Sequence, residues 1–169
     1  MRLKNLLVAV LSATGLTASN VRADQLQDNG VDKFPPHELS LDLFGTYATR
    51  DRFGNPEHRG GGGLGLNYFF TRYVGLGADT YIEEWRAPYR VNGSVIFRYP
   101  FPIGLAPYGF GGGGREFKYA PQWTFHGGAG LEFRFNRHTG IFGDVRRVFA
   151  YADKGEDYTL ARAGMRLNF

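Results

Sequence analysis

The last twelve residues of the chain alternate between side chains that suit lipid and side chains that suit a polar interior. One set is Thr159, Ala161, Ala163, Met165, Leu167 and Phe169. The other set is Tyr158, Leu160, Arg162, Gly164, Arg166 and Asn168. Since successive side chains of a strand point to opposite faces, this period of two predicts a β-strand, whereas a helix requires a period near 3.6.

Seven upstream segments repeat the alternation. They begin near Leu39, Leu64, Leu76, Val91, Tyr108, Phe125 and Ile141. The apolar set of each segment is expected on the outer face, and in the fifth segment this set is Tyr108 and Phe110. All have about the length of a tilted transmembrane strand, roughly 9–11 residues. The sequence therefore predicts an all-β fold.

The connections between the segments alternate in length. Short links are expected at Arg72–Gly75, Pro100–Gly104 and Asn136–Thr139. Longer polar connections are expected at Arg50–Arg59, Glu83–Arg90, Arg115–Gln122 and Ala152–Asp157. Outer-membrane barrels have short periplasmic turns and longer external loops. Residues 38–169 are therefore predicted to form an eight-stranded antiparallel up-and-down transmembrane β-barrel with both termini on the periplasmic side.

The first 23 residues have the pattern of a secretory signal peptide. Basic residues precede the apolar run Leu6–Leu11, and Val21-Arg22-Ala23 resembles a cleavage site. The run is much shorter than the roughly 20 residues of a membrane-spanning helix. Residues 24–37 contain Pro35-Pro36 and are predicted to be a flexible periplasmic lead-in. The expected location is the cell outer membrane.

The charge balance argues against a nucleic-acid partner. The sequence has 20 Lys and Arg against 16 Asp and Glu. Arg2, Lys4 and Arg22 would leave with the signal peptide, so the exported chain is nearly neutral.

There is no cysteine, and the four histidines are scattered without ligand spacing. We therefore expect no metal site and no cofactor.

A soluble β-sandwich or lipocalin-type barrel would show the same alternation with its apolar face turned inward. The opposite face is rich in glycine and charge, which suits a narrow lumen, and the chain ends on an outward-facing Phe169. Aromatic residues also cluster near strand ends, as membrane interfaces require. These residues are Tyr47, Tyr73, Trp85, Tyr99, Trp123 and Tyr151. Lipid on the apolar side is therefore the favoured interpretation.

The inward face carries the candidate site, a network of acids and arginines. Its members are Asp42, Asp79, Arg98, Glu132, Arg134, Asp144, Arg146, Arg162 and Arg166. Buried charges are tolerated when they are paired, and an eight-stranded barrel is just wide enough to be filled by side chains. We expect a structural network that fills the lumen; the alternative is a selective pore lining. Arg166 with Asp42 and Arg162 with Asp144 are candidate pairs.

Two other patterns invite a chemical interpretation. Glycines beginning at Gly60 and at Gly109 match G-x-G-x-x-G, but the strand–glycine–helix context of a dinucleotide site is missing. Ser/His/acid catalysis would need a nucleophile beside a base and an orienting carboxylate. Only Ser40 and Ser94 remain after the signal peptide, and His126 is the histidine that lies within a predicted strand, facing inward. Crowding relief by glycine and a hydrogen-bonded histidine are the favoured interpretations.

The sequence resembles the small outer-membrane β-barrels of the OmpA/OmpX type over residues 38–169. The segments that carry the resemblance are Pro107-Tyr108, Gly143-Asp144-Val145-Arg146 and the terminal Gly164–Phe169. In that family a C-terminal aromatic residue belongs to the signal read by the barrel-assembly machinery, which implies this role for Phe169. The chain ends at the barrel, so the resemblance does not imply the peptidoglycan-binding domain of longer members.

The expected function is non-enzymatic, in envelope integrity or surface interaction. A small channel for ions or solutes and a lipid A-modifying enzyme are the alternatives. The expected partners are outer-membrane lipid, lipopolysaccharide and the barrel-assembly machinery, with a monomer as the expected state.

Overall fold

The computed structural model describes residues 33–52, 55–83, 90–117, 122–151 and 157–169. The predicted signal peptide, most of the lead-in and Trp85 lie outside the described residues. The strands are β1 (Glu38–Arg52), β2 (Asn55–Phe69), β3 (Val74–Glu83), β4 (Arg90–Arg98), β5 (Leu105–Glu116), β6 (Gln122–Arg134), β7 (Thr139–Ala150) and β8 (Tyr158–Asn168). Among the described residues, no helix is long and apolar enough to cross a membrane.

The eight strands form one closed antiparallel barrel. Each strand pairs with the next along the chain, and β8 pairs with β1. The closing register places Asp42 opposite Arg166 and Thr46 opposite Arg162. At the seam, the Phe169 amide donates to the Leu39 carbonyl at 2.8 Å. The predicted fold class is confirmed.

Three tight turns lie at the end of the barrel where β1 begins and β8 ends, here called the terminal end. They connect β2 to β3, β4 to β5 and β6 to β7. Gly104 in the second turn has a φ of 80°, a conformation that glycine adopts without steric cost. The opposite end, where the other four connections lie, is the loop end.

The predicted loop at Arg50–Arg59 is wrong in extent. β1 and β2 continue pairing until Arg52 lies opposite Asn55, so the hairpin extends well into the polar segment. The polar composition misled the prediction because the backbone hydrogen bonds of an antiparallel ladder do not require apolar side chains.

The apolar side chains face outward and the polar ones face the lumen. Leu66, Leu76 and Val145 are about half exposed, at 53%, 49% and 54%. Asp42, Glu132 and Arg166 are buried. Such a surface suits a surrounding of lipid.

The orientation predicted for β5 is wrong. Tyr108 and Phe110 are 6% and 8% exposed and fill the lumen, whereas Gly109 and Gly111 face outward. Glycines of the adjacent β6 make room for the two rings. A Cβ at Gly128 would lie 2.6 Å from the Phe110 ring. An alternation of aromatic residues with glycine does not reveal which set faces lipid. Here the aromatic rings face the lumen, because the inward glycines of β6 leave space for them.

Candidate functional site: the charged lumen

Among the described residues, two ionic clusters of four or more side chains lie in the lumen. The first is the Glu38 network, which consists of Glu38, Asp42, Glu132, Arg98, Arg134 and Arg166. Glu38 is its hub, because Arg134 donates to both of its carboxylate oxygens. Arg98 Nη1 donates to Glu38 Oε1 at 3.1 Å. Arg134 Nε also donates to Glu132 Oε1, so one guanidinium connects two acids. All four side chains are fully buried.

Arg166 extends this network to Asp42. Its Nε and Nη2 donate to the two Asp42 oxygens, each at 2.7 Å, and its Nη1 donates to Glu132 Oε2 at 2.6 Å. Asn67 Nδ2 donates a further bond to Asp42 at 2.8 Å. The bidentate geometry matches the fork of a guanidinium to a carboxylate, which is the strongest form of this pair.

The second cluster is the Asp79 network, which consists of Asp79, Asp144, Arg146 and Arg162. Arg162 donates to both Asp144 oxygens at 2.8 Å and to Asp79 Oδ2 at 3.2 Å. Arg146 Nη2 donates to the same Asp79 oxygen at 2.7 Å. The Tyr108 hydroxyl donates to Asp144 Oδ2 at 2.7 Å, which gives this inward ring a polar partner.

Each network is balanced in formal charge. The Glu38 network holds three acids and three arginines, and the Asp79 network holds two of each. Balance matters because an unpaired charge in a dry lumen costs several kcal/mol, roughly 3–5 when one partner is removed. The arginines also lie over aromatic rings, with Arg98 Cζ 3.5 Å from the Phe69 centroid and Arg166 Cζ 5.0 Å from that of Phe142.

Little space remains between the networks. A cavity of about 20 Å³ lies between Asp42, Asp79, Arg146 and Arg166. This is room for about one water molecule. Towards the loop end, the lumen holds an apolar cluster that includes Phe44, Tyr81, Phe142, Tyr158 and Leu160.

At the terminal end, the chain before β1 crosses the mouth of the barrel. The sequence predicts a flexible lead-in here, but Lys33–His37 pack against the barrel. Phe34 is 0% exposed, and the Arg98 and Arg134 guanidinium carbons lie 5.1 and 4.3 Å from its ring centroid. Arg134 Nη1 donates to the Lys33 carbonyl, and Lys33 Nζ donates to the Phe135 carbonyl at 3.2 Å. We call Lys33–His37 the strap.

The structure brings together Ser94 and His126. Ser94 Oγ lies 2.8 Å from His126 Nε2, and both side chains face the lumen. Within the described part of the chain, His126 Nδ1 has no hydrogen-bond partner, so no carboxylate orients the ring. Ser94 lines the cavity of about 20 Å³, which is too small for an acyl chain. The described residues also contain no cluster of His, Asp and Glu that could hold a metal.

The candidate residues from the sequence all lie in these two networks, but the sequence reasoning missed four participants. Asn67 and Asn92 donate to Asp42 and Asp79, each at 2.8 Å. Tyr108 was missed because the prediction placed its side chain on the outer face of β5. Glu38 directly precedes the first apolar residue of β1 and alternates with it, so extending that strand by one residue would have found it.

The glycine runs lie inside strands. The run that begins at Gly60 is part of β2, and the run that begins at Gly109 is part of β5. Several of their inward glycines are required by packing. A Cβ at Gly63 would lie 2.6 Å from the Phe44 ring, and one at Gly114 would lie 2.2 Å from the Asn92 side-chain oxygen.

The barrel superposes on three solved barrels of low sequence identity. The N-terminal β-barrel domain of OprF from Pseudomonas aeruginosa matches with a TM-score of 0.61 at 18% identity, over 79% of this chain and 98% of that one. Neisserial surface protein A matches with 0.64 at 11%, over 78% and 97%. Ail, the attachment invasion locus protein of Yersinia pestis, matches with 0.59 at 16%, over 79% and 99%.

The chain has the fold of the small outer-membrane barrels. The resemblance drawn from the sequence is thereby confirmed for the fold. No protein-family model matches the sequence, and no curated protein is significantly similar to it.

Proposed function

We propose that the protein is a closed, non-enzymatic outer-membrane barrel that supports envelope integrity or surface interaction. The observation that carries the proposal is the filled lumen: two charge-balanced networks, an apolar cluster and the strap leave a cavity of only about 20 Å³ between the networks. An eight-stranded barrel is just wide enough to be filled by side chains, and a packed interior leaves the outer wall and the loops for contacts with partners.

The proposed partners follow from an outer-membrane location. Outer-membrane lipid and lipopolysaccharide would surround the apolar wall. The barrel-assembly machinery would read the terminal aromatic, and Phe169 suits this role because it is 73% exposed beside the closing seam. Ail has been crystallised with the heparin analogue sucrose octasulfate, which is a precedent on this fold for contact with a polyanionic sugar. The proposed state is a monomer, delivered by a signal peptide at residues 1–23.

The test combines location, conductance and lipid chemistry. We expect the protein in the outer-membrane fraction, with a gel mobility that changes on boiling, and no conductance steps from purified protein in planar bilayers. Cells that lack the protein should become more sensitive to detergent, with unchanged lipid A acylation. Regular conductance steps would favour a channel instead, and altered acylation would favour an enzyme.

A further inference from the structure

The strap joins the start of β1 to the opposite wall of the barrel. In the closed ring of eight strands, β5 lies diametrically opposite β1. The strap directly precedes β1, but its first two residues contact groups on both sides of β5. Phe34 packs against the guanidinium groups of Arg98 and Arg134, at the ends of β4 and β6. A Cβ at Gly104, in the turn between β4 and β5, would lie 3.4 Å from the Lys33 side chain. The strap therefore crosses the whole bore of the barrel.

The strap is stiff, and its junction with β1 is strained. Pro35 and Pro36 each fix their own φ and restrict the preceding residue to extended conformations, so the strap loses little chain entropy when it docks. His37 joins the strap to β1 with a φ of 57°, in the left-handed region that costs energy for a residue with a Cβ. Such a conformation persists only when surrounding contacts impose it. The contacts with the opposite wall therefore set the path of the strap, rather than local backbone preference.

The seam between β1 and β8 is the strand pair that the strap can protect. The other seven pairs join strands that are consecutive in the chain, whereas the seam closes the whole ring. Closing so long a loop costs more entropy than closing a hairpin. At the terminal end, the Phe169 amide donates to the Leu39 carbonyl at 2.8 Å, and the Leu39 amide donates to the Phe169 carbonyl at 3.3 Å. Leu39 is the second residue of β1, so β1 cannot swing away from β8 at this end while the strap is docked.

We propose that the strap is a lock on the closed barrel, which docks after β1 has paired with β8 and then holds the seam shut at the terminal end. The order follows from the docking surface, because Arg98 and Arg134 reach their positions opposite β1 only when the sheet has curled into a barrel. Arg134 also donates to the Lys33 carbonyl and to Glu38, the first residue of β1, so the strap and the strand are held by the same guanidinium. Contacts that form after the transition state of folding slow unfolding and leave the folding rate unchanged.

The first measurement is of the folding and unfolding rates of the full chain in detergent micelles, over a range of urea concentrations. Phe34→Ala removes the ring that lies against two guanidinium groups, and Lys33→Met removes the hydrogen bond to the Phe135 carbonyl. We expect Phe34→Ala to unfold at least about tenfold faster than wild type and Lys33→Met about threefold faster, while both fold within about twofold of wild type. Changed gel mobility on boiling verifies that each variant is folded. A folding rate that falls as much as the unfolding rate rises would place docking before closure and overturn the proposed order.

The second measurement is of hydrogen exchange at single amides of the terminal end, followed by NMR in the same micelles. The seam amides are those of Leu39 and Phe169. The wall amides are those of Tyr99 and Phe101, which donate to carbonyls across the β4–β5 turn at 2.9 and 2.7 Å. We expect Phe34→Ala to accelerate exchange at the seam amides by about tenfold and at the wall amides by less than about twofold, because undocking frees β1 alone.

Phe69→Ala is the matched control for this measurement. Phe69 is as buried as Phe34 and also lies over the Arg98 guanidinium, but it belongs to the barrel wall. Its loss should accelerate exchange at the seam and wall amides alike, since it weakens the barrel without releasing the strap. If Phe34→Ala leaves seam exchange unchanged, or accelerates the seam and the wall equally, the strap does not lock the seam and the proposal is wrong.

Discussion

The bidentate pair between Arg166 and Asp42 allows the strength of the lumen network to be measured. Arg166→Met removes three hydrogen bonds, two to Asp42 and one to Glu132. Among the described residues, Asp42 then keeps only the Asn67 amide, whereas Glu132 keeps Arg134 and the more distant Arg98. The Arg166 and Asp42 side chains are 4% and 6% exposed, so bulk solvent does not reach the site of the lost partner. We expect the free energy of unfolding to fall by about 3–5 kcal/mol.

The assay is urea unfolding in micelles of Arg166→Met, Asp42→Asn and the double variant. Both substitutions remove the charge while roughly preserving volume, so cavity effects stay small. Because the double variant leaves no unpaired member of this pair, its loss should be smaller than the sum of the single losses by about 1–3 kcal/mol. Arg137→Met, in an exposed turn, is the control and should change the unfolding free energy by less than about 0.5 kcal/mol. Losses that add within about 0.5 kcal/mol would refute the pairing argument.

Four further predictions follow from individual features. Gly128→Ala should destabilise the barrel strongly, because its Cβ would lie 2.4 Å from the Val145 carbonyl oxygen, whereas the outward Gly109→Ala, with its nearest atom at 3.8 Å, should not; equal urea midpoints would contradict this. Phe34→Ala should expose a cysteine placed at Ser40 to a thiol reagent, since the strap covers the mouth beside it; unchanged labelling against Ser40→Cys alone would show that the strap does not seal the lumen. A cysteine at Lys154 should react with an impermeant reagent on intact cells and one at Arg137 should not, and the reverse pattern would invert the topology. Deletion of Phe169 should lower the amount in the outer membrane more than it lowers stability in detergent, and normal membrane levels would remove its proposed role in assembly.

The sequence predicts the strands and the inward acids and arginines because a membrane barrel imposes a strict period of two on both faces. It does not predict which acid meets which arginine, because the partners lie on strands that are distant in sequence. Arg146 of β7 reaches Asp79 of β3, for example, and this contact depends on barrel shear. The error at Tyr108 has a different cause, since an aromatic ring suits either a lipid face or a glycine-lined lumen.

The lumen networks also explain how one register is selected. A one-residue slip would turn every inward side chain of a strand towards lipid. For β8, such a slip would expose Arg162 and Arg166 to the bilayer, at about 2–4 kcal/mol for each arginine near the midplane. It would also leave Asp42 and Asp144 without the arginines that pair with them. An apolar lumen would carry no comparable penalty, because apolar side chains tolerate lipid as well as each other. Paired charges inside an apolar wall therefore penalise misregistered barrels, which is a structural role that does not depend on whether the lumen conducts ions.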